Sequence, residues 1–505
     1  MRRPLLTEEF WRRPGVHRGL FALAAAGLLF AKLGQTHLAN YDDCFYAQKA
    51  KEMLRAGDWL TPTWAGEVRV ENPPLFLWLV MLSYLALGVT NYAAILPSAL
   101  AGVLCVVAVH RLAGELGMDD FAAWSAAFVL VTTQYFMKFA KHAMFDVFLA
   151  LLFVLALLAY RRALTGERRW YLAVGLCTGA GILTKSVMGL FPLAAVVLHL
   201  VWTRRARELA QPWFAAGVAT ALVTGLGWYA YQWGAHREEL LGQYGWLLVS
   251  RAGAAASKPT AWWNVFDYFV SLGRDYWPWA PLALAGLWLA GRRAFARGGD
   301  ASAAPPGAAP PTREAARLLL VWLLVSVGVM SLAREKKLWY IMPAFPAFAL
   351  LAAAAAAAWV RDPARRRRLM RGGYALLAAG ALALNLTPLP ASVDRRPDLQ
   401  AVALAARDLV PAGERVLNLD AGYDSTNPQF LFYSDRSLTR PLGDPAAVRR
   451  GLDAGAWALL TRAGYAAVAA GDSASYPAVF GSGGWLLVRV APPVPALLAP
   501  GDPFR

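Results

Sequence analysis

The chain has 505 residues, 58% of them apolar and 16% charged, a balance that excludes an ordinary soluble globular protein and places most of the chain in a membrane. Its 50 basic residues against 33 acidic ones give a net charge of +17, but the excess sits in short clusters between apolar runs, the pattern of membrane sidedness and not of nucleic-acid binding. The three cysteines, Cys44, Cys105 and Cys177, argue against a disulfide framework, redox chemistry or a zinc cluster.

The first apolar run, 19–38, follows Arg2, Arg3, Arg12, Arg13 and Arg18 and reads as an uncleaved anchor with its N-terminus in the cytoplasm. Residues 40–74 then form a first outer loop. Further apolar runs lie near 75–89, 93–113, 120–137, 144–160, 170–183, 187–203, 212–232, 276–291, 315–333, 339–359 and 372–388. If 75–89 crossed, Arg161, Arg162, Arg168, Arg169, Arg204, Arg205 and Arg207 would all fall outside, against the positive-inside rule. That run is shorter than the roughly twenty residues a spanning helix needs, so it is expected to lie in the outer interface. About eleven spans remain, and they put Arg111, the loops 161–169 and 204–207, the Pro-rich linker 292–314 and the segment 361–371 in the cytoplasm. The membrane domain thus occupies 1–389. From 390 to 505 turn residues and charges return, and short apolar runs at 415–419, 457–460 and 484–490 alternate with helical stretches at 397–409 and 445–452, predicting a small outer α/β domain.

Of the fifty basic residues only nine are Lys, and their placement is informative. Lys49, Lys51, Lys138, Lys141, Lys185, Lys258, Lys336 and Lys337 all fall at or near the outer face, joined by Arg251, Arg274 and Arg334; Lys32, inside the first span, is left over. Positive charge on that side calls for an anionic partner, and a lipid phosphate has the right chemistry at that depth; headgroup snorkelling without function is the plainer explanation for any single residue. Carboxylates gather on the same side: Asp42 and Asp43 just after the first span, Glu71 at the end of the first loop, and Asp146 opening a later span. Asp42 and Asp43 could simply cap the helix expected at 45–55. Acidic groups at membrane depth are costly unless paired or functional, so the set points to a catalytic carboxylate with a metal site.

Several of these stretches together resemble a known family. Asp42-Asp43-Cys44-Phe45-Tyr46-Ala47, then Glu52-Met53, Gly57-Asp58-Trp59 and Glu71-Asn72-Pro73-Pro74-Leu75, look like the Asp-Glu motif, first-loop helix and Glu-Lys-Pro-Pro turn of polytopic GT-C glycosyltransferases that use polyprenyl-phosphate sugar donors. These include protein O-mannosyltransferases and lipid A aminoarabinose transferases. Lys141 through Asp146, Gly181-Ile182-Leu183-Thr184-Lys185 and Lys336 through Pro343 match in the same order. The resemblance implies a GT-C membrane fold with interfacial first-loop helices and a C-terminal periplasmic domain, in a bacterial inner membrane. It implies a polyprenyl-phosphate-linked sugar donor, a lipid, glycan or protein acceptor, and no nucleic-acid partner. Asp42 would be the general base, with Asp43 beside it and Asp146 supporting the site; Tyr46 and Tyr340 would touch the donor phosphate, and Glu71 would hold a divalent metal. Lys141, Arg251, Lys336 and Lys337 complete the expected phosphate-binding set. The chain departs from the aminoarabinose transferases at two positions, which carry Arg where this chain has Phe45 and Lys where it has Asn72. Arg251, Lys141 and Lys337 are the candidates to restore the lost charge.

Other signals fall away. Residues 179–186 nearly spell a phosphate-binding loop, but Thr184 stands where its second glycine belongs. Gly175 and Gly179 have the spacing of close helix packing. No histidines stand four apart, and His142 alone is near the proposed site. A lipid-linked-sugar flippase and a non-catalytic lipid-binding relative are the competing readings. The first should carry a polar path through the bilayer, whereas the charges here concentrate at span ends; the second is kept open by Phe45 and Asn72.

Overall fold

The computed structural model describes residues 14–35, 38, 41–252, 266–296, 311–333, 336–389, 397–419 and 423–490. Side chains of 247–252 lie outside the described residues, as do Lys258, Arg334 and most of the 292–314 linker, so the expectation for Arg251 falls there too.

Most of the described chain is helical, and by length and composition seven helices could cross a membrane: Asn91–Glu115, Asp146–Leu164, Arg168–Trp202, Pro212–Ala235, Arg313–Ser331, Leu338–Trp359 and Pro363–Leu386. About eleven spans were expected. Arg168–Trp202 joins two of the expected runs, and the run at 120–137 is broken into Asp120–Thr132 and Gln134–Ala140. Pro14–Leu29 and Ala280–Phe295 have 16 residues each. The helix Leu75–Leu87 has 13 residues, about 20 Å at 1.5 Å per residue and short of the ~30 Å hydrocarbon layer.

Helix packing depends on missing side chains at one contact in particular. A Cβ on Gly175 would stand 1.9 Å from the Gly217 carbonyl oxygen, and one on Gly217 would stand 2.3 Å from that of Tyr171. Only glycine lets the helices Tyr171–Lys185 and Pro212–Ala235 approach so closely. The first of these helices stops abruptly. Ser186 takes φ 47, an uncommon left-handed value for a residue with a side chain, and the chain continues as a 3-10 turn through Leu190 into Phe191–Trp202.

The first-loop helix runs Tyr41–Ala56. Behind it, β1 (Thr63–Trp64) and β2 (Glu67–Val68) pair antiparallel across Ala65 and Gly66, both at positive φ, as a tight hairpin turn requires. The Glu52 carboxylate accepts from the Ala65 and Gly66 amides at 2.9 and 3.2 Å, tying the hairpin to the helix.

Residues 397–490 form a four-stranded sheet, order β3-β4-β6-β5, from Leu417–Asn418, Trp457–Thr461, Ala478–Ser482 and Trp485–Arg489. β3 is parallel to β4 and the other pairs are antiparallel. Strand β4 is apolar from Trp457 to Leu460 because both faces are covered there. Ala458 and Leu460 pack with Val448, Leu452 and Val468, while Trp457 and Leu459 face the cluster that holds Leu399, Val402 and Phe430. The helix Tyr423–Ser434 docks on the first-loop helix. Asp435 takes Lys51 at 2.6 Å and both terminal nitrogens of Arg55 at 2.9 and 3.0 Å, and the Tyr433 hydroxyl accepts from the Leu38 amide and donates to Asn91.

Candidate active site at the lysine-bearing end

On a helix, residues four apart share a face, and two such pairs organise the first-loop helix. Asp42 and Tyr46 form the first. Asp42 is half-buried in the first turn, where a carboxylate is favoured by the helix dipole. Tyr46 is buried, its ring 4.7 Å from that of Phe145. Over the same Phe145 ring, at 4.9 Å, lies the Lys185 ammonium, which also sits 4.8 Å from the ring of Tyr340. Lys185 pairs with Asp146 at 2.5 Å, and both are buried, at 9% and 1% exposure. Asp146 opens its helix and Lys185 ends its own, so each charge also matches the dipole of the helix that carries it. Tyr46, Asp146 and Tyr340 are thereby gathered around a residue, Lys185, that was not among the expected site residues, and Asp42 stands one turn before Tyr46 on its helix.

The second pair is Phe45 and Lys49. The Lys49 ammonium lies 4.4 Å above the Phe45 ring and donates to the Glu71 Oε1 at 2.9 Å, the Asn72 Oδ1 at 3.0 Å and the Arg69 carbonyl at 2.9 Å. Gln243 holds this strand end from the other side, accepting from the Val70 and Glu71 amides at 2.7 and 3.2 Å. Between these elements opens a cavity of about 750 Å³ lined by Phe45, Trp64, Arg69, Glu71, Gln243 and Trp246. The Trp64 Nε1 and Glu71 Oε2 are buried there without a hydrogen-bond partner.

Asp43 points elsewhere than Asp42. It is buried, and its Oδ2 meets the His142 Nδ1 at 2.5 Å. His142 in turn packs on Phe139, Phe139 on Trp339 and Trp339 on Tyr340, closing a ring of contacts around the site. His142, set aside as a lone histidine, is therefore held in place by the acidic motif itself.

The expected phosphate-binding cations divide. Lys141 is half-buried and donates to the Ala31 carbonyl at 3.0 Å; burial lowers its pKa to about 8. Lys336 donates to the Ala333 carbonyl at 2.7 Å, and exposed Lys337 lies 5.8 Å from the Trp339 ring. The idea that the outer lysines await a lipid anion needs correcting for three of them. Lys49, Lys51 and Lys185 are matched by Glu71, Asp435 and Asp146, because burial at their depth demands a fixed partner.

Glu71 was expected to hold a divalent metal. Its Oε1 is taken by Lys49, and among the described residues no three His, Cys, Asp or Glu side chains come together as a ligand group. One remaining carboxylate oxygen does not make a protein metal cage, so the described residues alone supply no complete ligand set there.

The family described as dolichyl-phosphate-mannose-protein mannosyltransferase matches residues 71–231. The chain is 28% identical over 367 residues to the undecaprenyl phosphate-alpha-4-amino-4-deoxy-L-arabinose arabinosyl transferase 2 of Sodalis glossinidius, covering 68% of this chain and 60% of that protein. It is 29% identical over 375 residues to the transferase of the same description, without the number, from Pseudomonas paraeruginosa, covering 72% and 64%. The chain thus spans about three fifths of the length of the curated relatives it matches. The crystal structure of ArnT from Cupriavidus metallidurans bound to undecaprenyl phosphate shares its fold, with a TM-score of 0.73 at 20% identity over 93% of this chain and 97% of that one. In sequence and in fold the chain is similar to multi-pass membrane glycosyltransferases that use a lipid-linked sugar donor.

Proposed function

We propose that this chain is a membrane glycosyltransferase that moves one sugar from a polyprenyl phosphate, undecaprenyl phosphate in a bacterial inner membrane, to a hydroxyl of a lipid, glycan or protein on the outer face. The observation that carries this reading is the gathering of Tyr46, Asp146, Lys185 and Tyr340 at one end of the helices, with Asp42 one turn before Tyr46, in a chain whose relatives are named for such a donor.

The acceptor oxygen attacks the anomeric carbon as the bond from that carbon to the phosphate oxygen breaks. Asp42 accepts the acceptor's proton, and the lipid phosphate departs with the bonding electron pair. Asp42 suits the base because it is half-buried and can meet a substrate, whereas Asp43 is buried against His142. Asp146 and Lys185 form a fixed pair that sets Tyr340 and Phe145, and through Phe145 the ring of Tyr46, before substrate arrives; fixed dipoles and charges of this kind stabilise developing charge without reorganising. Tyr46, Tyr340, Lys141, Arg251, Lys336 and Lys337 are assigned to the departing phosphate. The nucleotide-independent chemistry needs no further activation, since the donor is already a sugar phosphate.

The test is transfer of labelled sugar from a panel of polyprenyl-phosphate donors by the purified chain in lipid, with Asp42→Asn in parallel. Turnover that falls about 10²–10⁴-fold in Asp42→Asn, the usual span for a general base, supports the reading; equal turnover by Asp42→Asn removes Asp42 from the chemistry.

A further inference from the structure

Lys49 has no exposed surface, yet it carries a charge at the edge of the site. A buried ammonium is expensive unless each of its donors is matched, and all three here are: the Glu71 carboxylate, the Asn72 side-chain oxygen and the Arg69 carbonyl. Lys49 touches both positions at which the chain departs from the aminoarabinose transferases. The ring of Phe45 lies 4.4 Å from its ammonium, and Asn72 accepts one of its hydrogens at 3.0 Å. An Arg at 45 or a Lys at 72 would bring a second cation to within a few ångströms of the first, in surroundings that screen poorly. The uncharged side chains of Phe45 and Asn72 are therefore compatible with a buried cation at Lys49.

Resting on the transferase reading above, we propose that Lys49 is the resident counter-cation of the donor-phosphate end of the site, positioning Glu71 and Asn72 so that phosphate binding there needs no divalent metal. Lys49 is a positioning residue, since its donors are spent on the protein. It neutralises Glu71 in place, which a metal would otherwise do, and lets that carboxylate stand beside an anionic donor. It also fixes the Asn72 amide. A lysine can only donate, so the Asn72 oxygen must face it, and the amide's two N–H groups are presented on the opposite side, where a phosphate oxygen can accept them.

The test uses the full chain in lipid nanodiscs and measures binding of undecaprenyl phosphate without any sugar, with and without EDTA. The variants are Lys49→Met and the double variant Lys49→Met/Asn72→Lys, which places the charge on the loop. Expected are binding by the unaltered chain that changes less than about twofold with EDTA, a loss of tenfold or more in Lys49→Met, and recovery of most of that loss in the double variant; tenfold is about 1.4 kcal/mol. Binding by a folded Lys49→Met within twofold of the unaltered chain overturns the inference, and so does a tenfold loss on EDTA treatment that added metal reverses. If Lys49→Met does not fold, the EDTA arm on the unaltered chain still decides. Failure of the unaltered chain to bind undecaprenyl phosphate would overturn the transferase reading and this inference with it, whereas binding that ignores Lys49 overturns the inference alone.

Discussion

The helix Asp146–Leu164 carries a different kind of charge at each end. At its first residue Asp146 and Lys185 meet at 2.5 Å, both buried. At its last turn, Arg161 lies 3.9 Å from a Glu314 that Arg205, nearly half exposed, approaches at 3.3 Å. Other pairs at the arginine end repeat the pattern: Arg168 reaches Glu208 at 3.4 Å with about half its side chain in solvent. At the lysine end Asp43 and Glu71 each have one close partner, His142 and the buried Lys49. The guanidinium groups of Arg168 and Arg205 at the one end remain in contact with water, where pairing is worth little. The ammonium groups of Lys49, Lys51 and Lys185 at the other are locked inside, where an unmatched charge is costly and a matched one is a fixed element of a site.

The comparison is most severely tested at Lys185. In Lys185→Met the Asp146 carboxylate is left buried without its cation, and a loss of about 3–5 kcal/mol is expected, read as a fall in the thermal midpoint of the purified protein; a change under about 1 kcal/mol would mean that the pair is not buried as described. Next comes Asp435→Asn, which releases Lys51 and Arg55 and should cost about 1–3 kcal/mol, with faster proteolysis between 397 and 490. Burial by itself raises the Asp435 pKa, but the bonds from Arg55 and Lys51 hold it below the ordinary carboxylate range. That contribution is therefore present above the unfolded pKa and lost as the pH falls through the folded one, so acid should undock the segment before it unfolds the membrane helices.

A smaller effect concerns Lys141. Its folded pKa of about 8 lies below the ordinary 10.5, so between those values the unfolded chain binds more protons and stability rises with pH. Thermal midpoints taken between pH 7.5 and 10.5 should show that rise in the unaltered chain and a flatter profile in Lys141→Met; identical profiles would place Lys141 in water. The smallest change is expected at the other end, where Arg168→Ala should cost less than about 1 kcal/mol and less still at high salt.

The sequence announces the long apolar helices, because twenty-residue apolar runs need little context. It also exposes part of the site: Asp42 and Tyr46 stand four residues apart and so share a face, and the order of motifs from Asp42 to Pro343 carries the resemblance to transferases. The partner of Lys49 was not legible. Its contact with Glu71 and Asn72 depends on the Ala65-Gly66 turn folding the loop back onto the helix, and no local pattern encodes that return. Two absences, the cations missing at Phe45 and Asn72, were the available signal, and they pointed to Lys141, Arg251 and Lys337 when a lysine one turn from Phe45 was nearer. Lys51 and Asp435 are 384 positions apart, and only the docking of the C-terminal segment joins them. A hydropathy run does not show where a helix breaks, as at Thr133 and Ser186.

A transferase of this kind must bind its donor phosphate at the lysine end. The most direct measurement is photo-crosslinking of the full chain in lipid with an undecaprenyl phosphate bearing a diazirine in the isoprene unit next to the phosphate, followed by peptide mapping. Label is expected in the segments 41–72, 141–146 and 336–344, displaced by excess unlabelled undecaprenyl phosphate. Displaceable label in 111–120, 204–211 or 361–371, at the arginine end, would contradict binding at the lysine end.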